Sequence, residues 1–270
     1  MITGYSNNSR GIGVRSYQLI LPSVVCSTHL AKKVADQVGG VTFSHQHGCG
    51  IIGPDVAGVN DFFVALAGHP NIQSTVVLGL GCETIQGNEL TDNITRNYPE
   101  TEYVVIQESA GMAGALDSSI ATARALLDSC APQRTALEHL TIGIEGFPNP
   151  SLLSEFTLLA ENSGHKVLAS NAQREPARNF AELIRRKCHV ILSFPDANQP
   201  PTGLPLIPVI TVANERSALH QALASEFDAP HSVSAQELLQ KVINVANGEK
   251  SKSESKKVGD IVVPRMVRSV

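Results

Sequence analysis

Two imidazoles and a thiol lie close together in Ser44-His45-Gln46-His47-Gly48-Cys49-Gly50. A second thiol, followed directly by a carboxylate, stands in Gly79-Leu80-Gly81-Cys82-Glu83. Neutral imidazole and thiolate suit Zn or Fe(II), and a carboxylate adds a harder donor or a base. His45, His47 and Cys49 alternate, so they point the same way only while the chain stays extended, and Gly48 allows it to turn. The same residues also read as a polar loop histidine and two small, buried, hydrophobic cysteines. Spacing alone leaves both open. Gln107-Glu108 comes after a third apolar run; on spacing alone the pair reads first as a helix cap, and Glu108 is the alternative base or ligand.

These groups matter because of the elements that hold them. Tyr17 to Val25 reads as a buried strand, Ser27 to Val38 as a helix with Ser27 or Thr28 as N-cap, and Val41 to Ser44 as a short strand. Val59 to Ala67 is helical, Thr75 to Leu80 a β-branched strand, Glu89 to Asn97 a helix, Tyr103 to Ile106 a strand and Ala113 to Cys130 a long helix. The alternation continues with strands at Leu140 to Ile144, Lys166 to Ala169, Val190 to Phe194 and Pro208 to Val212. Helices are expected at Pro150 to Asn162, Pro176 to Lys187, Ser217 to Glu226 and Ser234 to Asn247. Gly248 to Lys257 reads as a solvated stretch and Ile261 to Val263 as a last short strand. Strand and helix in regular alternation predict an α/β fold of parallel sheets flanked by helices in Rossmann-like layers. The polar segment Pro132 to Glu138 suggests two α/β halves, 1–134 with the His/Cys turns and 135–270. In such sheets the loops at strand ends carry the chemistry.

A formal charge of -4 gives no reason to expect nucleic acid or an anionic membrane as partner. Apolar runs are strand-sized, well short of the roughly 20 residues of a membrane span. The start of the sequence lacks the basic and apolar regions of a signal peptide. Five cysteines at irregular intervals do not form a disulfide framework, and a reducing cytoplasm fits them. Gly48-Cys49-Gly50-Ile51-Ile52-Gly53 also satisfies G-x-G-x-x-G, but Pro54 and Asp55 come next, and an acid beside phosphates would repel them.

Several segments, taken in order, resemble the altronate and galactarate dehydratase family, which also contains the sulfolactate sulfo-lyase large subunit. They are Gly11 to Tyr17, Leu21 to Ser27, the His-x-x-Gly-Cys-Gly pattern at His45, Gly48, Cys49 and Gly50, then Ala67-Gly68-His69-Pro70-Asn71, Gly79 to Glu83 and Ile106-Gln107-Glu108. Pro201 to Pro205, Pro208 to Ile210 and Gly248 to Glu254 extend it. The resemblance implies a metal-dependent lyase that dehydrates a hydroxy-carboxylate or sugar acid. The implied cofactor is a divalent metal, Fe(II) first, with Mn or Zn as the other candidates. His45, Cys49 and Cys82 are the implied metal ligands, Glu108 and Glu83 the catalytic acid/base groups, and His47, Ser27 and Gln107 the groups that meet substrate. The implied partners are a small carboxylate substrate and a separate small subunit or a second copy of the chain. The chain departs from the family where Gly-Gly-Ser-Asp is expected and Ile144-Glu145-Gly146-Phe147-Pro148-Asn149-Pro150 stands. Two alternatives remain: a non-catalytic relative that binds a small ligand or partner subunit, and a nucleotide-binding oxidoreductase using Gly48 to Gly53.

Overall fold

A computed structural model describes residues 1–170, 175–214 and 217–265. In chain order the elements are β1 (Ile2–Ser6), β2 (Ile12–Gly13), β3 (Tyr17–Pro22), α1 (Thr28–Val38), α2 (Pro54–Ala67), β4 (Ile72–Gly79), α3 (Gly87–Thr95), β5 (Thr101–Val105) and α4 (Gly111–Ser129). Then come β6 (Gln133–Leu137), β7 (Thr141–Gly146), α5 (Pro150–Asn162), β8 (Lys166–Ala169), α6 (Pro176–Arg185), β9 (Val190–Phe194), β10 (Val209–Thr211), α7 (Ala218–Ala222), α8 (Ala235–Ala246) and α9 (Lys252–Lys256). The fold is α/β, with parallel sheets ordered β3-β4-β5 and β10-β9-β7-β8 and a small antiparallel sheet ordered β2-β1-β6.

The chain divides into two compact units. One unit is built from Tyr5–Ile12, Ser16–Gln133 and residues 261–265; the other from Met1–Gly4, Gly13–Arg15 and Arg134–Asp260. In the β3-β4-β5 unit every residue of β4 is buried, as expected of a central parallel strand covered on both faces. Ile20, Val76, Leu78 and Val104 face α1 and α4 through Leu30, Ala31, Val34, Ala115, Ala123 and Leu126. Pro54 opens α2, where its missing N–H costs nothing.

Each unit also carries a buried guanidinium. Arg10 donates to the carbonyls of Ala67, Gln73 and Glu100 and to the Glu100 carboxylate at 2.7 Å. Arg15 donates to the carbonyls of Val14, Val245 and Glu249 and grips the Glu254 carboxylate with two nitrogens, at 2.8 and 3.0 Å.

Several expectations are corrected. Val41 to Ser44 forms no strand; Val41 makes one bridge to Leu19, and residues 42–44 add no further ladder bonds among the described residues. Within Pro132 to Glu138, where one unit gives way to the other, Gln133–Leu137 forms a strand beside β1 that the polar sequence does not signal. Ser217 to Glu226 is broken into α7 and a 3-10 turn at Ala224–Glu226. Gly248 to Lys257 is not merely solvated. Ser251 and Glu254 form a capping box that starts α9, and the Arg15 clamp draws Glu254 inward. Ile261 to Val263 is extended but pairs with side chains rather than with a strand, so it joins no sheet.

Candidate functional site

The carboxyl ends of β3, β4 and β5 run directly into the turns that carry the candidate groups. β3 ends at Pro22, and the Ser23 N–H still bonds the Leu78 carbonyl. The Val25 N–H then donates to the His47 carbonyl at 2.9 Å, tying the Cys26 turn to the histidine turn. Beyond β4, the Cys49 thiol approaches the Cys82 carbonyl at 3.9 Å, and Thr84 donates its hydroxyl to the Cys49 carbonyl. Beyond β5, the Gln107 amide donates to Cys82 Sγ at 3.6 Å. The turns around Cys26, Cys49, Cys82 and Gln107 are therefore neighbours, and the three cysteines are all exposed.

Glu83 does something different. It is 2% exposed, and its carboxylate accepts hydrogen bonds from the Ser23 hydroxyl at 2.8 Å and from the Leu80 and Gly81 N–H groups at 3.2 and 2.6 Å. A carboxylate so held sets the shape of its own turn and fixes a negative charge beneath the thiols. Gly81 takes φ +113, which glycine adopts without strain. Loss of hydration in the turn, the thiols of Cys82 and Cys26 and the Glu83 charge all hold the Cys49 thiol above its ordinary range.

His45 is also 2% exposed. Its ring lies against Phe43 and Phe63, with centroids 6.3 and 5.5 Å away. Its Nδ1 accepts the His47 N–H at 3.0 Å, so the neutral ring carries its proton on Nε2. That Nε2 is buried and has no partner among the described residues. Burial, then the neighbouring His47, push His45 down to about 4, so the ring stays neutral at physiological pH. His47 is anchored through Nε2 to the Val263 carbonyl at 3.1 Å, while Gln46 bonds both Ile261 and Val263.

The remaining assigned residues separate. Ser27 is fully buried, and its hydroxyl donates to the Val24 carbonyl at 2.9 Å. Gln107 and Glu108 are exposed on the loop after β5. Among the described residues, no three His, Cys, Asp or Glu side chains lie within reach of one metal ion. As arranged here, His45 is thus not presented to an ion shared with Cys49 and Cys82. Asp55 occupies the first turn of α2 and pairs with Arg265 at 3.1 Å, placing a carboxylate where a dinucleotide phosphate would sit.

Three residues receive no role from the sequence, although Ser23 and Cys26 lie within the segment Leu21 to Ser27. Cys26 sits in no spacing pattern, and only the fold brings it to the other thiols. Ser23 holds Glu83 across strands. The Tyr103 ring overlies Gly79 and Gly87, where a Cβ would come within 2.5 Å of it. Burial, then Glu83 and Glu108, raise its phenol to about 12, which marks both carboxylates as neighbours of the ring. The glycines at 79 and 87 are the available signal, since each makes room for a large neighbour.

Parallel strands whose carboxyl-end turns gather thiols, an anchored carboxylate and an amide define an α/β protein with a strand-end site. Residues 4–131 match the family model described as D-galactarate dehydratase/Altronate hydrolase, second domain. Through that segment, just under half of its length, the chain is similar to the altronate/galactarate dehydratase family. It is similar to "Altronate dehydratase" of Escherichia coli (strain K12), 29% identical over 38% of this chain and 23% of the relative. It is also similar to "Altronate dehydratase" of Bacillus subtilis (strain 168), 31% identical over 32% of this chain and 19% of the relative. The match thus spans less than a quarter of either relative. Among the described residues, no helix is long and apolar enough to cross a membrane.

Proposed function

We propose that the chain is a hydro-lyase acting on a hydroxy-carboxylate of the sugar-acid class. The observation that carries this reading is the meeting of the Cys49 and Cys82 turns above the anchored Glu83, at the strand ends of the family's domain. Dehydration of a 2,3-dihydroxy acid removes the proton α to the carboxylate and expels the β-hydroxyl as water. The enol left behind becomes a 2-keto acid. The reaction needs a base, a donor to the departing oxygen and positive charge near the carboxylate.

Glu108, exposed beside Gln107 and Tyr103, is the base in this proposal. Gln107, exposed on the same turn, orients a substrate oxygen. Glu83 positions the turn rather than touching substrate. A cation held at Cys49 and Cys82, iron before manganese or zinc, would supply the positive charge.

The test is a dehydratase screen over sugar acids and short hydroxy acids, with Fe(II), Mn(II) or Zn(II) added and 2-keto product measured. Turnover that falls by about a hundredfold or more in Glu108→Gln supports the proposal. No turnover on any acid, with metal demonstrably bound, leaves a non-catalytic relative that binds a ligand or partner. That second reading is favoured by Glu145, whose carboxylate is sealed against Asn179 and Ser193 where the resemblance leads one to expect Gly-Gly-Ser-Asp.

A further inference from the structure

We propose that Cys26, Cys49 and Cys82 are the three protein ligands of an iron–sulfur cluster of the four-iron, four-sulfur type, with one iron left free of protein. Three observations support it. The three thiols stand on adjacent turns and are all exposed, whereas Cys130 and Cys188 are buried. The turns are coupled by backbone contacts: Val25 N–H to the His47 carbonyl at 2.9 Å, and Cys49 Sγ to the Cys82 carbonyl at 3.9 Å. A Cβ on Gly48 would lie 3.7 Å from Val25, so the Cys26 and Cys49 turns are in van der Waals range.

The surroundings also fit a cluster better than a single ion. Thiolates on one ion, at a radius of ~2.3 Å, crowd within about 4 Å of each other. A cluster spreads them over separate irons, and the described side chains show no single-ion grouping. Gly48 and Gly50 flank Cys49, and a Cβ on Gly50 would meet nothing within 4 Å, so there is room beside that thiol. Gln107 already donates to Cys82 Sγ, the kind of hydrogen bond that tunes cluster sulfur. Val25 and Ile52 are 41% and 67% exposed beside Cys26 and after Cys49.

The inference rests on the hydro-lyase reading only for what the free iron would do, which is to hold a substrate oxygen as a Lewis acid. Cluster content is measured without substrate, so the two can fail separately. Full-length protein is reconstituted anaerobically with Fe(II) and sulfide, desalted, and assayed for iron, acid-labile sulfide and visible absorption. About four irons and four sulfides per chain are expected for the wild type and for Cys130→Ser and Cys188→Ser. Cys26→Ser, Cys49→Ser and Cys82→Ser should each lose most of that content. Their metal-free melting temperatures should stay near the wild type's, since the changes are at exposed turns.

Iron or zinc near one per chain without sulfide overturns the cluster, and dehydration by that form would leave the hydro-lyase reading standing. Cluster loss in Cys49→Ser and Cys82→Ser but not in Cys26→Ser overturns the assignment of Cys26. A Cys49–Cys82 disulfide as the only product of reconstitution overturns the proposal outright. A full cluster with no dehydration of any acid keeps the proposal and removes the hydro-lyase reading.

Discussion

The two parallel sheets treat their strand ends differently. In the β3-β4-β5 unit, Glu83 folds back on Leu80 and Gly81 and leaves three thiols facing outward. In the β10-β9-β7-β8 unit, Glu145 on β7 is equally buried, but Asn179 and the Ser193 hydroxyl close over it at 3.1 and 2.6 Å. β7 ends at Gly146, and Phe147 just beyond it borders a cavity of about 290 Å³ lined in part by Asn149, Phe194 and His231. Two parallel sheets thus yield one rim of reactive groups and one rim of packing groups. A buried carboxylate at a strand end is therefore no sign of catalysis by itself; what its turn leaves exposed decides.

The largest expected effect tests whether both units depend on their buried guanidinium. Arg10→Met strands Glu100 and three backbone carbonyls, and should cost about 3–5 kcal/mol by urea denaturation. Arg15→Met should cost a similar amount. A loss below about 1 kcal/mol in either would show that its unit does not rely on the clamp.

Next, Gly146→Ala should be more damaging than Gly81→Ala. A Cβ at 146 would sit 2.1 Å from the Phe194 carbonyl oxygen, with φ at +85, so β7 and β9 must part; about 3 kcal/mol is expected. At 81 the nearest obstacle, at 2.9 Å, is the movable end of Gln107, so the cost should be about 1–2 kcal/mol, mostly backbone strain. The reverse order would break the contrast between a packed rim and an open one.

His45 gives a pH signature to the thiol-bearing unit. Its pKa in the folded protein, about 4, lies below the ordinary 6.5, so the unfolded state binds the proton first. Stability present above about pH 6.5 is lost as pH falls toward 4, up to about 3 kcal/mol. In His45→Gln the denaturation midpoint should vary less between about pH 7 and pH 4.5. Parallel pH dependence in wild type and variant would mean the imidazole is not the titrating group.

The smallest effect is on reactivity. In metal-free protein at about pH 8, iodoacetamide should label Cys26, Cys49 and Cys82 while sparing Cys188, whose thiol burial raises to about 12. Mass spectrometry of the labelled peptides reads this directly. Labelling of Cys188 at a comparable rate would remove the distinction between the two kinds of cysteine.

Much of this architecture is legible in the sequence. Pro150 and Asn162 bound α5 where expected, and Lys166–Ala169 and Val190–Phe194 are strands as read. These segments carry strong local signals, a proline at the first helical turn or an unbroken apolar run. Ile2–Ser6 and Gln133–Leu137 give no such signal, because their polar, partly exposed residues acquire strand structure only by pairing with distant chain. The same holds at the site. The strand-end location of Cys49 and Cys82 can be read from glycine-flanked turns, but Cys26 joins them only through the Val25–His47 backbone contact. Ser27 looks like a polar group at a strand end and is spent on the Val24 carbonyl. The histidines at 45 and 47 look equivalent by type, yet packing buries one against phenylalanines and ties the other to Val263.

The extended segment from Ile261 to Arg265 gives the molecule a schedule as well as a shape. Gln46, His47 and Asp55 find partners there, more than two hundred residues downstream. During synthesis the histidine loop therefore has nothing to close against until that tail emerges. A fragment cut at residue 131 should fold its β3-β4-β5 sheet while leaving the loop slack and open to proteolysis.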